Sequence, residues 1–204
     1  MLKVAVLGTS NSLMRQGWAS AFAAAAGRIA TVDNLSLGAA PSIYGAYMAA
    51  TADVTRRYDY CLIDFCINDQ QLVDIGQLRL EQAASAFHSL LAAFSAEDAA
   101  CVPIVLILPQ RDLIGAATPP SCRDLHARLC DLVGVGYIDV YAALERRIAA
   151  RGGGARDFLL DWAHLNPAAS AAVARMALEA VVEAECARPA PRRAPVAHKA
   201  YGRA

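Results

Sequence analysis

The sequence lacks the marks of several common protein classes. No run approaches the roughly 20 uninterrupted apolar residues of a membrane-spanning helix. The short apolar run over residues 1–7 has no small-residue cleavage site and is typical of a core strand, not of a signal peptide. The six cysteines form no C-x-x-C pair, and no cysteine–histidine spacing matches a zinc site. Several cysteines lie in apolar runs, which predicts buried free thiols, a reducing compartment and a cytoplasmic protein.

The chain also lacks an excess of either charge, with 19 basic and 19 acidic residues. Five of the basic residues lie in 188–204, which has no acidic residue, so the rest holds 14 basic and 19 acidic residues, a net charge of −5. An acidic body gives no reason to expect nucleic acid as a partner. A hydrophobic fraction of 56% predicts one well-filled domain over 1–187, followed by a disordered basic, proline-rich tail over 188–204.

Apolar strand-like runs alternate with helical patterns throughout residues 1–187. Strands are predicted at 1–7, 29–37, 58–67, 101–108 and 137–140, and helices at 13–26, 42–54, 77–94, 121–133, 141–150 and 168–187, the last capped by Asn166. This alternation is typical of a parallel sheet covered by helices on both faces. We therefore predict an α/β fold, a flavodoxin-like three-layer α/β/α sandwich with a five-stranded parallel sheet.

Small polar side chains follow the predicted strands, and the carboxyl ends of parallel strands share one edge of a sheet. Four loops, 8–12, 37–42, 66–69 and 161–164, therefore converge there. They supply a hydroxyl, a glycine turn with free N–H groups, an amide and an acid–histidine pair: Ser10, Gly38, Asn68, and Asp161 with His164. Acyl transfer needs these parts, namely a nucleophile, oxyanion donors, a base and a carboxylate that orients the base.

Some roles stay open at this point. Ser10 could merely cap the helix that follows. Ser12 is a rival nucleophile and a better candidate for the cap. Asp157 competes with Asp161 for the role of orienting acid. Asp69 is predicted to cap a helix or turn, and Trp162 to pack near the site.

The four segments resemble the four sequence blocks of the SGNH (GDSL-type) hydrolase family, in the family's order and over residues 1–186. The resemblance implies the SGNH fold and a serine esterase with Ser10 as nucleophile, His164 as base and Asp161 as the orienting acid. It implies an oxyanion hole made by the backbone N–H groups of Ser10 and Gly38 and by the side chain of Asn68. It implies neither a metal nor an organic cofactor.

Two positions depart from the family pattern. Thr9 stands where an acidic residue usually precedes the nucleophile, a place outside the triad. Cys66 stands where the third block usually has glycine. We expect it to restrict the backbone conformations open to the turn and to reshape the pocket floor.

The wording Gly-x-Ser-Asn-Ser and Phe-Cys-x-Asn-Asp is similar to that of a family subset associated with surface polysaccharides. The predicted substrate is therefore a small acyl ester, such as an O-acetyl group on a carbohydrate. An O-acyltransferase with the same triad and a catalytically silent carbohydrate-binding module are the alternatives. A flavodoxin-like cofactor binder is not favoured, because the first loop has a single glycine where a phosphate cradle usually has several. No feature of the sequence indicates an oligomeric state.

Overall fold

The computed structural model describes residues 1–118 and 120–188, which fold around one five-stranded parallel sheet. The strands are β1 (Leu2–Leu7), β2 (Ala30–Asn34), β3 (Tyr60–Ile63), β4 (Val102–Ile107) and β5 (Gly136–Asp139), in the order β2-β1-β3-β4-β5. Every neighbouring pair is parallel. The predicted α/β fold with five parallel strands is confirmed.

Helices cover both faces of the sheet. They are α1 (Ser10–Leu13), α2 (Trp18–Ala26), α3 (Ser42–Thr51), α4 (Val54–Arg57), α5 (Cys66–Asp74), α6 (Leu80–Ala93), α7 (Ser121–Val133), α8 (Val140–Arg151) and α9 (Pro167–Ala187). Short 3-10 turns lie at Arg111–Leu113 and Ala155–Asp157. The predicted helix at 121–133 is found with the same bounds, and the predicted Asn166 cap accepts the Ala169 N–H at 2.8 Å.

Alternating side chains of the strands build two apolar layers, one on each face of the sheet. Val4 and Val6 of β1 face the layer that includes α2 and α9, whereas Ala5 and Leu7 face the layer that includes α3, α6 and α7. All four side chains are fully buried. With helices on both sides, these layers form the predicted three-layer sandwich.

Several predicted boundaries are wrong. β2 ends at Asn34 and α3 at Thr51, before the predicted ends at residues 37 and 54. β3 ends at Ile63, and Cys66 begins α5 where the sequence predicted a continuous strand to residue 67. The first turn of α5 is also buried, so its apolar residues continue the apolar run of the strand. The run therefore has neither the 2-residue period of a half-buried strand nor the 3.6-residue period of an amphipathic helix, and the sequence does not show where the helix begins. The predicted helix 13–26 is also two helices, α1 and α2, interrupted at residues 14–17.

The cysteines are all unpaired, and five of the six are buried. Cys186, near the end of α9, is exposed, so the prediction of buried thiols fails there. Cytoplasmic location stays a prediction. Across 1–118 and 120–188, none of the helices has both the length and the apolar character needed to span a bilayer. Of the predicted tail, Arg188 follows α9 as its C-cap, and the rest lies outside the described residues.

Candidate active site

Three side chains from the two ends of the chain form one hydrogen-bonded line. Ser10 begins α1 at the carboxyl end of β1, and its Oγ lies 2.8 Å from Nε2 of His164. Nδ1 of His164 lies 2.7 Å from Oδ2 of Asp161. A proton on Nδ1, donated to the carboxylate, leaves Nε2 free to accept the Ser10 hydroxyl proton.

The Asp161 carboxylate is held by its own loop. Its Oδ1 accepts the backbone N–H groups of Ala163 and His164, each at 2.8 Å. Partial burial alone would raise the pKa of Asp161, but these bonds and the bond from the imidazole outweigh it, and the net pKa is lowered. Asp161 is therefore ionised at neutral pH and can accept the hydrogen bond from Nδ1 of His164. Asp157, the rival acid, makes no bond to His164 and instead accepts the Gly154 N–H at 2.8 Å.

Asn11 joins the turn of residues 8–12, called here the Ser10 turn, to the loop of residues 161–164. Its side-chain Nδ2 donates to the Ala163 carbonyl at 2.9 Å, and its Oδ1 accepts the Leu165 N–H at 3.0 Å. The side chain is buried, so these bonds are not exchanged with water. Asn11 thereby fixes the position of residue 10 relative to residue 164 through a two-bond clamp.

A buried carboxylate lies beneath the Ser10 turn. Asp64, just after β3, accepts the Thr9 N–H at 2.8 Å, the Trp18 indole N–H at 2.7 Å and the Ser12 hydroxyl. Burial raises the pKa of Asp64 to about 6, against the lowering effect of these three donors. The predicted role of Ser12 as helix cap is wrong, because Ser12 lies within α1 and its fully buried hydroxyl donates to Asp64. The same burial and bond argue against Ser12 as the alternative nucleophile.

The turn also requires a glycine at position 8. A Cβ there would lie 2.5 Å from Asp64 Oδ1 and 2.5 Å from Ser12 Oγ, far inside contact distance. The Gly8 carbonyl accepts the Leu37 N–H at 3.1 Å, and this bond holds the 37–41 loop against the Ser10 turn. Gly38 accordingly lies beside α1, where a Cβ would be 3.8 Å from Cδ1 of Leu13.

The three predicted oxyanion donors have no acceptor in the part of the chain that the structure describes. Within the described ranges, the Ser10 N–H, the Gly38 N–H and the Asn68 side chain have no hydrogen-bond partner. Asn68 lies in the first turn of α5 and is 5% exposed. Next to Gly38, Ala39 has a left-handed backbone (φ 57°), a conformation that costs a non-glycine residue about 1–2 kcal/mol.

Asp69 connects the end of the 37–41 loop to the core. Its Oδ1 accepts the Ser42 N–H, the first of α3, at 2.9 Å, so the predicted cap acts on a helix 27 residues away. Its Oδ2 lies 2.9 Å from Nε2 of the fully buried His126, whose ring stacks on Phe87 at 3.7 Å between centroids. Sequence reasoning missed His126, because a lone histidine within a helix carries no signal of its partner.

Cys66 lies in the core, and Trp162 lies at the surface next to Asp161. Cys66 is 1% exposed and packs in the apolar layer with Cys122 and Tyr141, and burial raises the pKa of its thiol well above the ordinary value. It fills the core, and its effect on the floor of the site stays a prediction. Trp162, predicted to pack near the site, is 39% exposed and borders a hollow of about 210 Å³ beside the start of the Arg111–Leu113 turn.

A scan against models of protein families and a search of curated proteins found no match. Solved structures do match. An α/β hydrolase from the metagenome of Lake Arreo, Spain, superposes with a TM-score of 0.73 at 16% identity, covering 89% of this chain and 95% of that one. The acetyl xylan esterase AlAXEase gives 0.72 at 14% identity, covering 88% of this chain and 100% of that one. A GDSL-like lipase from Parabacteroides merdae gives 0.72 at 13% identity, with 89% and 95% covered. At these identities the likeness establishes the fold, which is the one the resemblance predicted.

Proposed function

We propose that this protein is a serine esterase that removes a small acyl group, such as acetyl, from a carbohydrate through an acyl-Ser10 intermediate. The observation that carries the proposal is the 2.8 Å contact between Ser10 Oγ and His164 Nε2, continued to Asp161 at 2.7 Å. A serine hydroxyl becomes an effective nucleophile only when a base is placed within hydrogen-bond reach. The fold shared with solved esterases supports the same reading of the triad.

In the first half-reaction His164 Nε2 takes the hydroxyl proton while Ser10 Oγ forms a bond to the ester carbonyl carbon. Asp161 stabilises the imidazolium that results. The oxyanion of the tetrahedral intermediate accepts hydrogen bonds from the N–H groups of Ser10 and Gly38 and from the Asn68 amide, for which residues 1–118 and 120–188 supply no other acceptor. Removing one such donor typically costs about 10²–10³ in kcat.

The intermediate collapses when the bond between the carbonyl carbon and the alcohol oxygen breaks. His164 gives its proton to the departing alkoxide, and the acyl group stays on Ser10. A water molecule then gives a proton to His164 and attacks the acyl carbon. The second collapse releases the carboxylic acid and returns the proton to Ser10, so no external reductant, oxidant or cofactor is consumed.

The surroundings of the triad support an ester carried on a sugar. The side chains of His164 and Asp161 are 27% and 49% exposed, so the site is open enough for a bulky alcohol portion. The adjacent hollow presents the Trp162 ring with Gln71, Asp74 and Gln110. An aromatic face with nearby polar groups suits a sugar ring, which has apolar C–H faces and hydroxyl edges. Similar solved proteins include a two-domain esterase active on acetylated mannans, matched at a TM-score of 0.70 and 15% identity over 94% of this chain and 53% of that one.

The test is turnover of p-nitrophenyl acetate by the wild type and by Ser10→Ala, Ser12→Ala and His164→Ala. We expect Ser10→Ala and His164→Ala each to lose about 10³-fold or more in kcat. Loss of activity in Ser12→Ala with full activity in Ser10→Ala would refute the assigned nucleophile. Adding a sugar acceptor separates hydrolysis from acyl transfer, since a transferase yields acetylated sugar in place of free acetate. A wild type without any turnover would favour the silent binding module.

A further inference from the structure

A second concave site lies at the base of the loop that carries Asp161 and His164. It is a cleft of about 360 Å³ between α8, the 152–158 segment and the first half of α9. We call it the arginine cleft and define it by three arginine side chains and three apolar residues that line it: Arg147, Arg151 and Arg175, with Leu144, Phe158 and Ala169. Its volume is in the range of small-molecule binding sites.

The charge of the arginine cleft is not balanced by the protein. In 1–118 and 120–188, none of its three arginines forms a salt bridge, whereas Arg123 pairs with Asp139 and Glu145. The single carboxylate among the lining residues, Asp157, accepts the Gly154 N–H at 2.8 Å. The lining therefore carries two more positive than negative charges.

This arrangement costs the fold stability. Arg147 and Arg151 are four residues apart on α8, a spacing at which like charges destabilise a helix by about 0.2–0.5 kcal/mol. Residues 146–175 hold five arginines and two acidic residues, although the body of the chain is acidic. Arg147 also lies 5.8 Å above the Phe158 ring, which orders its side chain at the rim. An anionic ligand would relieve this repulsion.

The arginine cleft is structurally continuous with the triad loop. Leu159 bridges to Leu165, and the Leu160 N–H donates to the His164 carbonyl at 2.8 Å. The Asn166 N–H donates to the carbonyl of Phe158, a lining residue of the cleft, also at 2.8 Å. A group bound in the cleft thus contacts the same short, paired loop that positions the catalytic base.

We propose that the arginine cleft binds an anionic group, carboxylate, sulfate or phosphate, on the saccharide whose ester is cleaved at Ser10. The inference rests on the proposed function. Guanidinium groups bind such anions through paired, charge-assisted hydrogen bonds. The apolar lining residues accommodate the C–H face of the ring that bears the anion. The substrate class is accordingly an acidic, O-acylated oligosaccharide, and neutral acetylated saccharides lack this contact.

Binding is measured by calorimetry on the Ser10→Ala protein, which cannot turn over a substrate, with trigalacturonate as the acidic probe and xylotriose as the neutral one. We expect trigalacturonate to bind, and the double change Arg147→Gln and Arg175→Gln to weaken it about tenfold, as expected for about 1.4 kcal/mol. The double change Arg146→Gln and Arg156→Gln is the matched control, since it also removes two positive charges, both from arginines that do not line the cleft, and it should leave affinity unchanged. Equal binding of the two trisaccharides, or unchanged affinity in the double variant, would overturn the proposal.

Two further measurements complete the test. Competition by inorganic phosphate distinguishes a free anion from an anion carried on a saccharide, and ester turnover distinguishes failure of this proposal from failure of the proposed function. If inorganic phosphate displaces trigalacturonate with equal affinity, the cleft is a free-anion site and the saccharide assignment is overturned. Turnover of p-nitrophenyl acetate by the double variant should equal that of the wild type, because this ester carries no anionic group. Trigalacturonate binding that depends on Arg147 and Arg175, in a wild type without esterase activity, would refute the proposed function but would keep the arginine cleft as a site for an acidic saccharide.

Discussion

Asn11 and Ala163 lie 152 positions apart in the sequence, and the Asn11 side chain donates to the Ala163 carbonyl at 2.9 Å. Asn11 directly follows Ser10, and Ala163 directly precedes His164. The bond therefore joins the flanks of the proposed nucleophile and base, and the Leu165 N–H adds a second bond to the same amide. The spacing of Ser10 and His164 is thus set by a side chain that takes no part in the chemistry.

Replacing Asn11 by Ala tests that clamp. The change leaves the Ala163 carbonyl and the Leu165 N–H unpaired, which should lower the free energy of unfolding by about 1–3 kcal/mol. Because the triad is held less tightly, we expect kcat for p-nitrophenyl acetate to fall about 10–100-fold with little change in KM. Asn166→Ala is the control, since it also removes two hydrogen bonds but does not touch α1. Equal losses of kcat in both variants would show that Asn11 acts only through general stability.

Gly8→Ala should disrupt the Ser10 turn of residues 8–12. The added methyl group would lie 2.5 Å from both Asp64 Oδ1 and Ser12 Oγ, so the turn has to move. We expect a loss of about 2–4 kcal/mol in unfolding free energy, in the range for overpacking of a buried site that also breaks a hydrogen bond, together with a large loss of kcat. Gly136→Ala, where nothing lies within 4 Å of the new methyl, should leave kcat unchanged and should raise the unfolding free energy by no more than about 1 kcal/mol. Urea unfolding and steady-state kinetics measure both effects, and a fully active Gly8→Ala protein would contradict the described packing.

Asp64 should make stability depend on pH. Its pKa is raised from 3.8 to about 6 in the fold, so the folded state binds a proton more tightly than the unfolded chain does. The stabilisation from the neutral carboxyl is therefore complete below pH 3.8 and is lost as pH rises through about 6, by up to about 3 kcal/mol. Asp64→Asn cannot titrate. The difference in unfolding free energy, wild type minus Asp64→Asn, should fall between pH 4 and pH 7, and a constant difference would rule out the raised pKa.

Trp162→Ala should separate sugar binding from ester cleavage. The ring borders the hollow beside the triad loop and is 39% exposed, so its removal leaves the core intact. We expect KM for an acetylated xylo-oligosaccharide to rise about 5–150-fold, from the loss of about 1–3 kcal/mol of ring contact. Kinetics with p-nitrophenyl acetate, which lacks the sugar, should stay near those of the wild type. Equal changes in KM for both substrates would show that the hollow is not a sugar site.

Periodicity explains which parts of the fold the sequence could predict. The helix at 121–133 has an amphipathic pattern that strand structure cannot satisfy, and its bounds match. The run 58–67 is apolar throughout, and it covers a four-residue strand, a turn and the start of α5. Without a period, the run shows that these residues are buried but not how the backbone is arranged.

The candidate site divides in the same way. The types and order of Ser10, Asp161 and His164 predict a catalytic role, and the structure brings the three side chains together. Asn11 and Asp64 were missed because they act through partners at least 46 positions away. Asp64 did leave a signal, since an acidic residue within an apolar run must find hydrogen-bond donors when it is buried.

The most direct test of the account is the mass of the protein after reaction with a fluorophosphonate, which labels only an activated serine. We predict a single adduct on the wild type, located by peptide mapping on Ser10. Ser10→Ala and His164→Ala should remain unlabelled under conditions that label Asn166→Ala fully. An adduct on Ser12, or none on a folded wild-type protein, would contradict the central claim that Ser10 is the nucleophile activated by His164.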